Sequence, residues 1–296
     1  MLTMQLGTLG KYIQLTKAFL CFMVSLSAAF GYLIVSPVVT SGLLLMTGGV
    51  FFLACGAAGL NSIQERVSDG AFTRTQNRPL VTGALSVQTA LVIVGCCIFS
   101  GSLLLFLCSP SLIPLSIGVL TLVIYNGVYT PLKPLSEFAL ILGGISGALP
   151  PLIGWVAAGG VFGDPVILII MALLFLWQPP HFLLIVLAHK NEYRKRQVFS
   201  NLIQRVSPLK VKKIIAVWLS AFITLVFFLG TVPGLLNHNT KTVLFTVTPI
   251  FLFLFLIHLF TSKAPRYKLL FVSLNSFLLV IMALFTIGTA TLSTFS

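Results

Sequence analysis

Asn61, Glu65 and Asp69 stand four residues apart along one stretch of the chain. On a helix that spacing puts three oxygen-bearing side chains on one face, each about 6 Å of rise from the next. Such a row suits a hard cation. Mg2+ takes one or two carboxylates and completes its shell with water and phosphate oxygens. Arg66, Arg74 and Arg78 lie in the same stretch, and arginine is the preferred bidentate partner of phosphate. Carboxylates for a metal, beside arginines for phosphate, point to a Mg2+–diphosphate site. The same groups could instead pair with one another on a solvated helix end, where ion pairs contribute little. Spacing alone leaves both readings open.

The elements that position these residues belong to a membrane protein. The chain has 296 residues, 57% hydrophobic, with mean hydropathy +1.07. Only 8% are charged, against about 25% in an ordinary soluble domain. That excludes a soluble enzyme, and the hydrophobicity excludes disorder. A helix needs about 20 mostly apolar residues to cross a bilayer. Nine stretches qualify: 18–36, 42–60, 87–107, 111–129, 138–159, 164–189, 214–234, 243–260 and 269–290. None alternates as a membrane β-strand would, so the backbone must satisfy itself within helices. The sequence predicts an all-α polytopic membrane protein, with residues 1–296 forming one domain. Lys11 and Lys17 flank a full-length first run with no clear cleavage site, so that run is read as a true span rather than a signal peptide.

The net charge of +13 could suggest nucleic acid, but its distribution points elsewhere. Lys11 and Lys17 precede the first span, Arg66, Arg74 and Arg78 follow the second, and Lys133 follows the fourth. Eight more, from Lys190 to Lys213, lie between spans six and seven, and Lys263, Arg266 and Lys268 between eight and nine. Seventeen basic residues thus share one side, and Lys241 alone takes the other. The positive-inside rule places the N-terminus and the long loops in the cytoplasm and the C-terminus outside. The basic run Lys210–Lys213 reads as topology plus attraction to anionic lipid.

Topology does not account for the acids. There are five: Glu65, Asp69, Glu137, Asp164 and Glu192. Four fall on the basic side, and Asp164 is read as the N-cap of the sixth span. Cys21, Cys55, Cys96, Cys97 and Cys108 lie in or at the ends of spans with no C-x-x-C, so they read as small apolar helix residues.

The run Asn61 to Leu80 resembles the first acidic motif of the UbiA-type membrane prenyltransferases, in particular the protohaem IX farnesyltransferase (haem O synthase) branch. Asn61, Arg66, Asp69, Arg74, Thr75, Arg78, Pro79 and Leu80 match at fixed spacing, with Glu65 for the branch's Asp and Phe72 for its Met. Two further blocks agree. One is Tyr129-Thr130-Pro131-Leu132-Lys133 followed by Gly143-Gly144, Gly147, Pro150-Pro151 and Gly154-Trp155. The other is Trp177-Gln178, Pro180-His181-Phe182 and Tyr193. The resemblance covers about residues 45–200 and implies nine helices around a central intramembrane cavity.

It also implies a reaction. Mg2+ held by Asn61, Glu65, Asp69 and Glu192 would neutralise the diphosphate of farnesyl diphosphate. Lys133, Arg66, Arg74 and Arg78 would bind that diphosphate and stabilise it as it leaves. The vinyl group of haem B would attack the farnesyl cation, and water would add to give haem O. His181 and Trp177 are the candidates to hold the porphyrin. Pro179 and Pro180 predict an unwound helix at His181, and an ionisable group within a membrane span is a functional candidate. Implied partners are the bilayer and haem A synthase or terminal oxidase assembly, with no nucleic acid.

Departures cluster at the diphosphate end. Asn191-Glu192-Tyr193 stands where the branch has Asp-Asp-Tyr, and Pro134 follows Lys133 in place of Arg. Two other readings therefore stand beside the first: a prenyltransferase with another acceptor, such as a quinone precursor, or a weakly active relative serving haem binding or assembly.

Overall fold

The computed structural model describes residues 7–136, 138–189, 206–262 and 265–293. Among these, nine helices are long and apolar enough to cross a membrane, matching the nine stretches in number and order. In chain order the helices are α1 (Thr8–Thr16), α2 (Ala18–Val35), α3 (Ser41–Gln64), the single turn α4 (Arg66–Asp69) and α5 (Val87–Leu107). Then come α6 (Ile113–Leu132), α7 (Ala139–Ala157), α8 (Pro165–Ala188), α9 (Pro208–Thr231), α10 (His238–Thr261) and α11 (Tyr267–Ser293). All but α1 and α4 are membrane-spanning.

Local chemistry sets the helix starts. Thr40, Ser86, Asp164, Ser207 and Asn237 each accept a backbone N–H of the first turn through a side-chain oxygen, the expected N-cap bond. Asp164 Oδ1 takes Val166 N–H at 2.8 Å, as read from the sequence. The Ser207 cap starts α9 six residues before the apolar run, so Lys210, Lys212 and Lys213 lie in its first turns rather than in a loop. Threonines within spans bond their own hydroxyls back to a carbonyl one turn earlier, as Thr248 does to Leu244 at 2.6 Å. No water is available there to serve them.

Each spanning helix packs on the next, from α2 through α11, and α11 packs back on α2 and also on α8. The second half of α7 packs closely on α2. The resulting core is large and aliphatic, with Phe222, Phe285, Ile167 and Leu184 fully buried. Outward-facing residues such as Phe99, Val217 and Phe253 are exposed and apolar, which suits lipid as solvent.

The prolines behave differently from the expectation. Pro179 and Pro180 sit inside an uninterrupted α8, so the predicted unwinding at His181 does not occur. Proline removes a donor and crowds the preceding turn, but α8 is held from three sides by α7, α9 and α11. The interruption falls instead in α7, at Leu149, ahead of Pro150-Pro151. In α6 the last turns widen into a π-helix over Val123–Tyr129, a local form often found beside functional sites.

Candidate active site

The row of oxygens forms as the spacing predicts. Backbone bonds from Glu65 N–H to Asn61 O (2.9 Å) and from Asp69 N–H to Glu65 O (2.8 Å) carry the helical repeat past the end of α3. Asn61 and Asp69 are buried, 2% and 6% exposed, although both sit near a membrane face. Buried polar side chains need partners, and here each has a cation or hydroxyl of this chain.

Three cations meet the three oxygens one to one. Lys17 Nζ donates to Asn61 Oδ1 at 2.6 Å. Lys133 Nζ donates to Glu65 Oε1 at 2.9 Å. Arg78 Nη1 donates to Asp69 Oδ2. The Asn61 amide nitrogen donates in turn to Thr130 Oγ1 at 3.2 Å, tying α3 to the end of α6. Lys133 also stands 6.0 Å from the centre of the Tyr129 ring, which stacks on Tyr125.

Lys17 was missed from sequence. It joins α1 to α2 with φ 51°, the only non-glycine residue with positive φ among those described. A left-handed lysine costs conformational energy, and such strain persists where the surroundings require it. Burial, then the Arg78 charge, with Lys133 adding to it, lowers the Lys17 pKa to about 8 against the pull of Glu65 and Asp69. Burial pushes the Glu65 carboxyl up, but Lys133, Lys17 and a hydrogen bond from Asn61 outweigh it and hold Glu65 below the usual carboxylate range.

Arg66 and Arg74 are exposed on the same short segment, and Arg74 lies 5.8 Å from the Phe72 ring centre. Glu192, with Asn191 and Tyr193, lies outside the described residues, as does Glu137. Among the described residues no three His, Cys, Asp or Glu side chains group as metal ligands. The row at the end of α3 thus offers two carboxylates, Glu65 and Asp69, and one amide oxygen, Asn61. All three offer hard oxygens, a donor set that fits Mg2+, and the two carboxylates are ion-paired with Lys133 and Arg78.

A second group lies on α8. Trp177 and His181 are one turn apart, with ring centres 4.4 Å apart, and Phe271 of α11 lies 4.6 Å from His181 on another contact. His181 Nδ1 meets Asn275 Oδ1 at 2.9 Å. The Trp177 indole N–H is buried with no hydrogen-bond partner. Trp155, by contrast, packs in the core and donates to Val161 O at 3.0 Å in the α7–α8 connection. His258 Nε2 accepts Arg266 N–H at 3.2 Å ahead of α11.

Glycines on α7 bridge the two groups. A Cβ at Gly143 would lie 2.9 Å from the Tyr129 ring, and one at Gly147 would lie 2.6 Å from the Gln178 amide. The Gln178 amide N–H reaches Gly144 O at 2.8 Å. Small residues thus let α7 carry the oxygen-and-cation cluster of α3 and α6 on one side and the histidine helix on the other.

Nine spans among the described residues, with oxygens and cations gathered at one helix end, define a multi-pass membrane protein with a polar cluster near one face of its bundle. Residues 21–277 match the UbiA prenyltransferase family, and the chain belongs to that family. It is 39% identical over 176 residues to the protoheme IX farnesyltransferase of Geobacter sulfurreducens, covering 60% of this chain and 64% of that one. It is 30% identical over 226 residues to the same-named protein of Nitratidesulfovibrio vulgaris strain DP4, covering 76% and 78%. The Geobacter match therefore spans just under two thirds of its relative. In fold, the chain is similar to a UbiA homolog from Archaeoglobus fulgidus bound to GPP and Mg2+, with TM-score 0.68 at 17% identity over 95% and 99% of the two chains. It is also similar to the apo UbiA homolog of Aeropyrum pernix K1, with TM-score 0.69 at 20% identity over 94% and 98%.

Proposed function

We propose that this protein transfers a farnesyl group from farnesyl diphosphate to a vinyl group of protohaem IX, making haem O. The observation that carries this reading is the one-to-one pairing of Asn61, Glu65 and Asp69 with Lys17, Lys133 and Arg78, on a chain that also holds the Trp177–His181 pair. The names of its relatives support haem as the acceptor.

In this reading Asn61, Glu65 and Asp69 would hold Mg2+, with Glu192 as a further candidate ligand. When bound, Mg2+ supplies charge neutralisation to the diphosphate. Lys17, Lys133 and Arg78 turn from their internal partners to phosphate oxygens, and Arg66 and Arg74 extend the cationic face. Charge builds on the leaving diphosphate as its bond to the farnesyl carbon breaks, and these fixed cations stabilise it. The apolar interior keeps water from the allylic cation. The haem vinyl carbons supply the electron pair for the new bond. Water then adds to the adjacent carbon and loses a proton, leaving a hydroxyethylfarnesyl side chain. His181 and Trp177 hold the porphyrin in a central intramembrane cavity.

We place the diphosphate end and the N-terminus in the cytoplasm, and residues 1–296 act as one domain. The haem O product would pass to haem A synthase or oxidase assembly. The test is a competition: purified protein, Mg2+, labelled farnesyl diphosphate, and haem B together with an aromatic acid of the quinone-precursor type. Label in haem supports the reading, and label in the aromatic acid alone contradicts it.

A further inference from the structure

The chemistry of His181 depends on which ring nitrogen carries the proton, and a partner on α11 decides this. Asn275 Nδ2 donates to Phe271 O, one turn earlier on its own helix, at 2.6 Å. That bond turns the amide oxygen toward His181, where Oδ1 lies 2.9 Å from Nδ1. A carbonyl oxygen can only accept, so Nδ1 carries the hydrogen. The lone pair of the neutral ring is then on Nε2, since among the described residues the side-chain hydrogen bond of His181 is the one at Nδ1. Trp177 and Phe271 contact the ring from α8 and α11 with centroids 4.4 and 4.6 Å away, and so limit its rotation.

This is the arrangement that prepares a histidine to bind a metal: one nitrogen tied to an oxygen acceptor, the other left with its lone pair. A second observation lies beside it. The Trp177 indole N–H is buried without a partner, an arrangement that is destabilising if nothing ever fills it. An acceptor brought by a ligand would remove that cost.

We propose that Asn275 is a positioning residue that fixes the tautomer of His181, so that Nε2 ligates the iron of a metalloporphyrin while the Trp177 N–H receives an acceptor from the same ligand. This rests on the haem reading above and adds the axial ligand, its tautomer and the residue that sets it. Asn275 lies on the last span, far from every motif singled out in the sequence.

The test uses the full chain in lipid nanodiscs with ferric protohaem, read by visible and EPR spectra and by resonance Raman after reduction. Wild type should give a nitrogen-ligated haem. His181→Ala should lose that signature and regain it with added imidazole. Asn275→Leu removes the acceptor and should weaken haem binding about 10- to 100-fold. Asn275→Asp keeps an acceptor, should retain affinity and should raise the iron–histidine stretching frequency. Heat stabilisation by Mg2+ and a diphosphate analogue, read at the other site, verifies that each variant is folded. Wild-type affinity and spectrum in Asn275→Leu would overturn the proposal, as would an unaltered nitrogen-ligated spectrum in His181→Ala. If Asn275→Leu fails to fold, an unchanged stretching frequency in Asn275→Asp overturns it instead. No haem spectrum in wild type would sink both this inference and the haem reading. Haem bound with full affinity by Asn275→Leu would remove this inference alone.

Discussion

Lys17 Nζ lies 2.6 Å from Asn61 Oδ1, although the two residues are 44 positions apart. The contact depends on a left-handed backbone at Lys17, φ 51°, which turns the chain between α1 and α2 and delivers the ammonium to the end of α3. A lysine there pre-places positive charge where a diphosphate would arrive. Charge-assisted hydrogen bonds contribute about 1.5–3 kcal/mol, which is about 10- to 100-fold in rate or affinity. Lys17→Met should therefore lower kcat/KM for farnesyl diphosphate by about that factor, measured by steady-state kinetics. An unchanged kcat/KM would remove Lys17 from the site.

Glu65 and Lys133 form the second pair, at 2.9 Å. The proposed site needs a carboxylate at 65, not its particular length. Glu65→Gln should cut turnover about 10²- to 10³-fold, the range for losing one well-placed electrostatic group. Glu65→Asp, one methylene or about 1.5 Å shorter, should retain measurable transfer. Equal loss in both variants would mean that reach, rather than charge, is what matters at this position.

Metal and diphosphate should bind together. A diphosphate analogue at about 100 times its Kd stabilises a protein by about 2.7 kcal/mol. Thermal unfolding should show that shift with Mg2+ present and lose it when EDTA is added. A shift that ignores EDTA would argue that the cations alone hold the diphosphate.

The glycine bridge on α7 makes a separate prediction about stability. A methyl at Gly147 would stand 2.6 Å from the Gln178 amide, which must give up its 2.8 Å bond to Gly144 O to move aside, a loss of about 0.5–1.5 kcal/mol. Gly147→Ala should lower the melting temperature, and adding Gln178→Ala should recover most of it. Failure of the second change to recover stability would show that the helices themselves, not that amide, set the spacing.

Much of this was legible in sequence because it is local. Apolar length gave the nine spans, and Asp164 could be read as a cap because capping involves the next two residues. The i, i+4, i+8 row of Asn61, Glu65 and Asp69 survives the end of α3 because the backbone bonds continue through Glu65. What was not legible is long-range. Lys17 reads as one more topological charge until the fold brings it to Asn61. Asn275 carries no signal in the sequence, since its contact with His181 spans 94 residues. The prolines misled because local stereochemistry favours a break at both pairs, whereas packing decides where it falls: α8 stays continuous and α7 is interrupted at Leu149.

Farnesyl transfer to haem is decided by mass spectrometry of the product. Purified protein would be incubated with haem B, farnesyl diphosphate and Mg2+, and the porphyrins extracted and weighed. The product should be a haem that has gained one farnesyl group and one hydroxyl, absent without Mg2+ and strongly reduced in Glu65→Gln. Unmodified haem B, from folded protein that still binds the diphosphate with Mg2+, would contradict it.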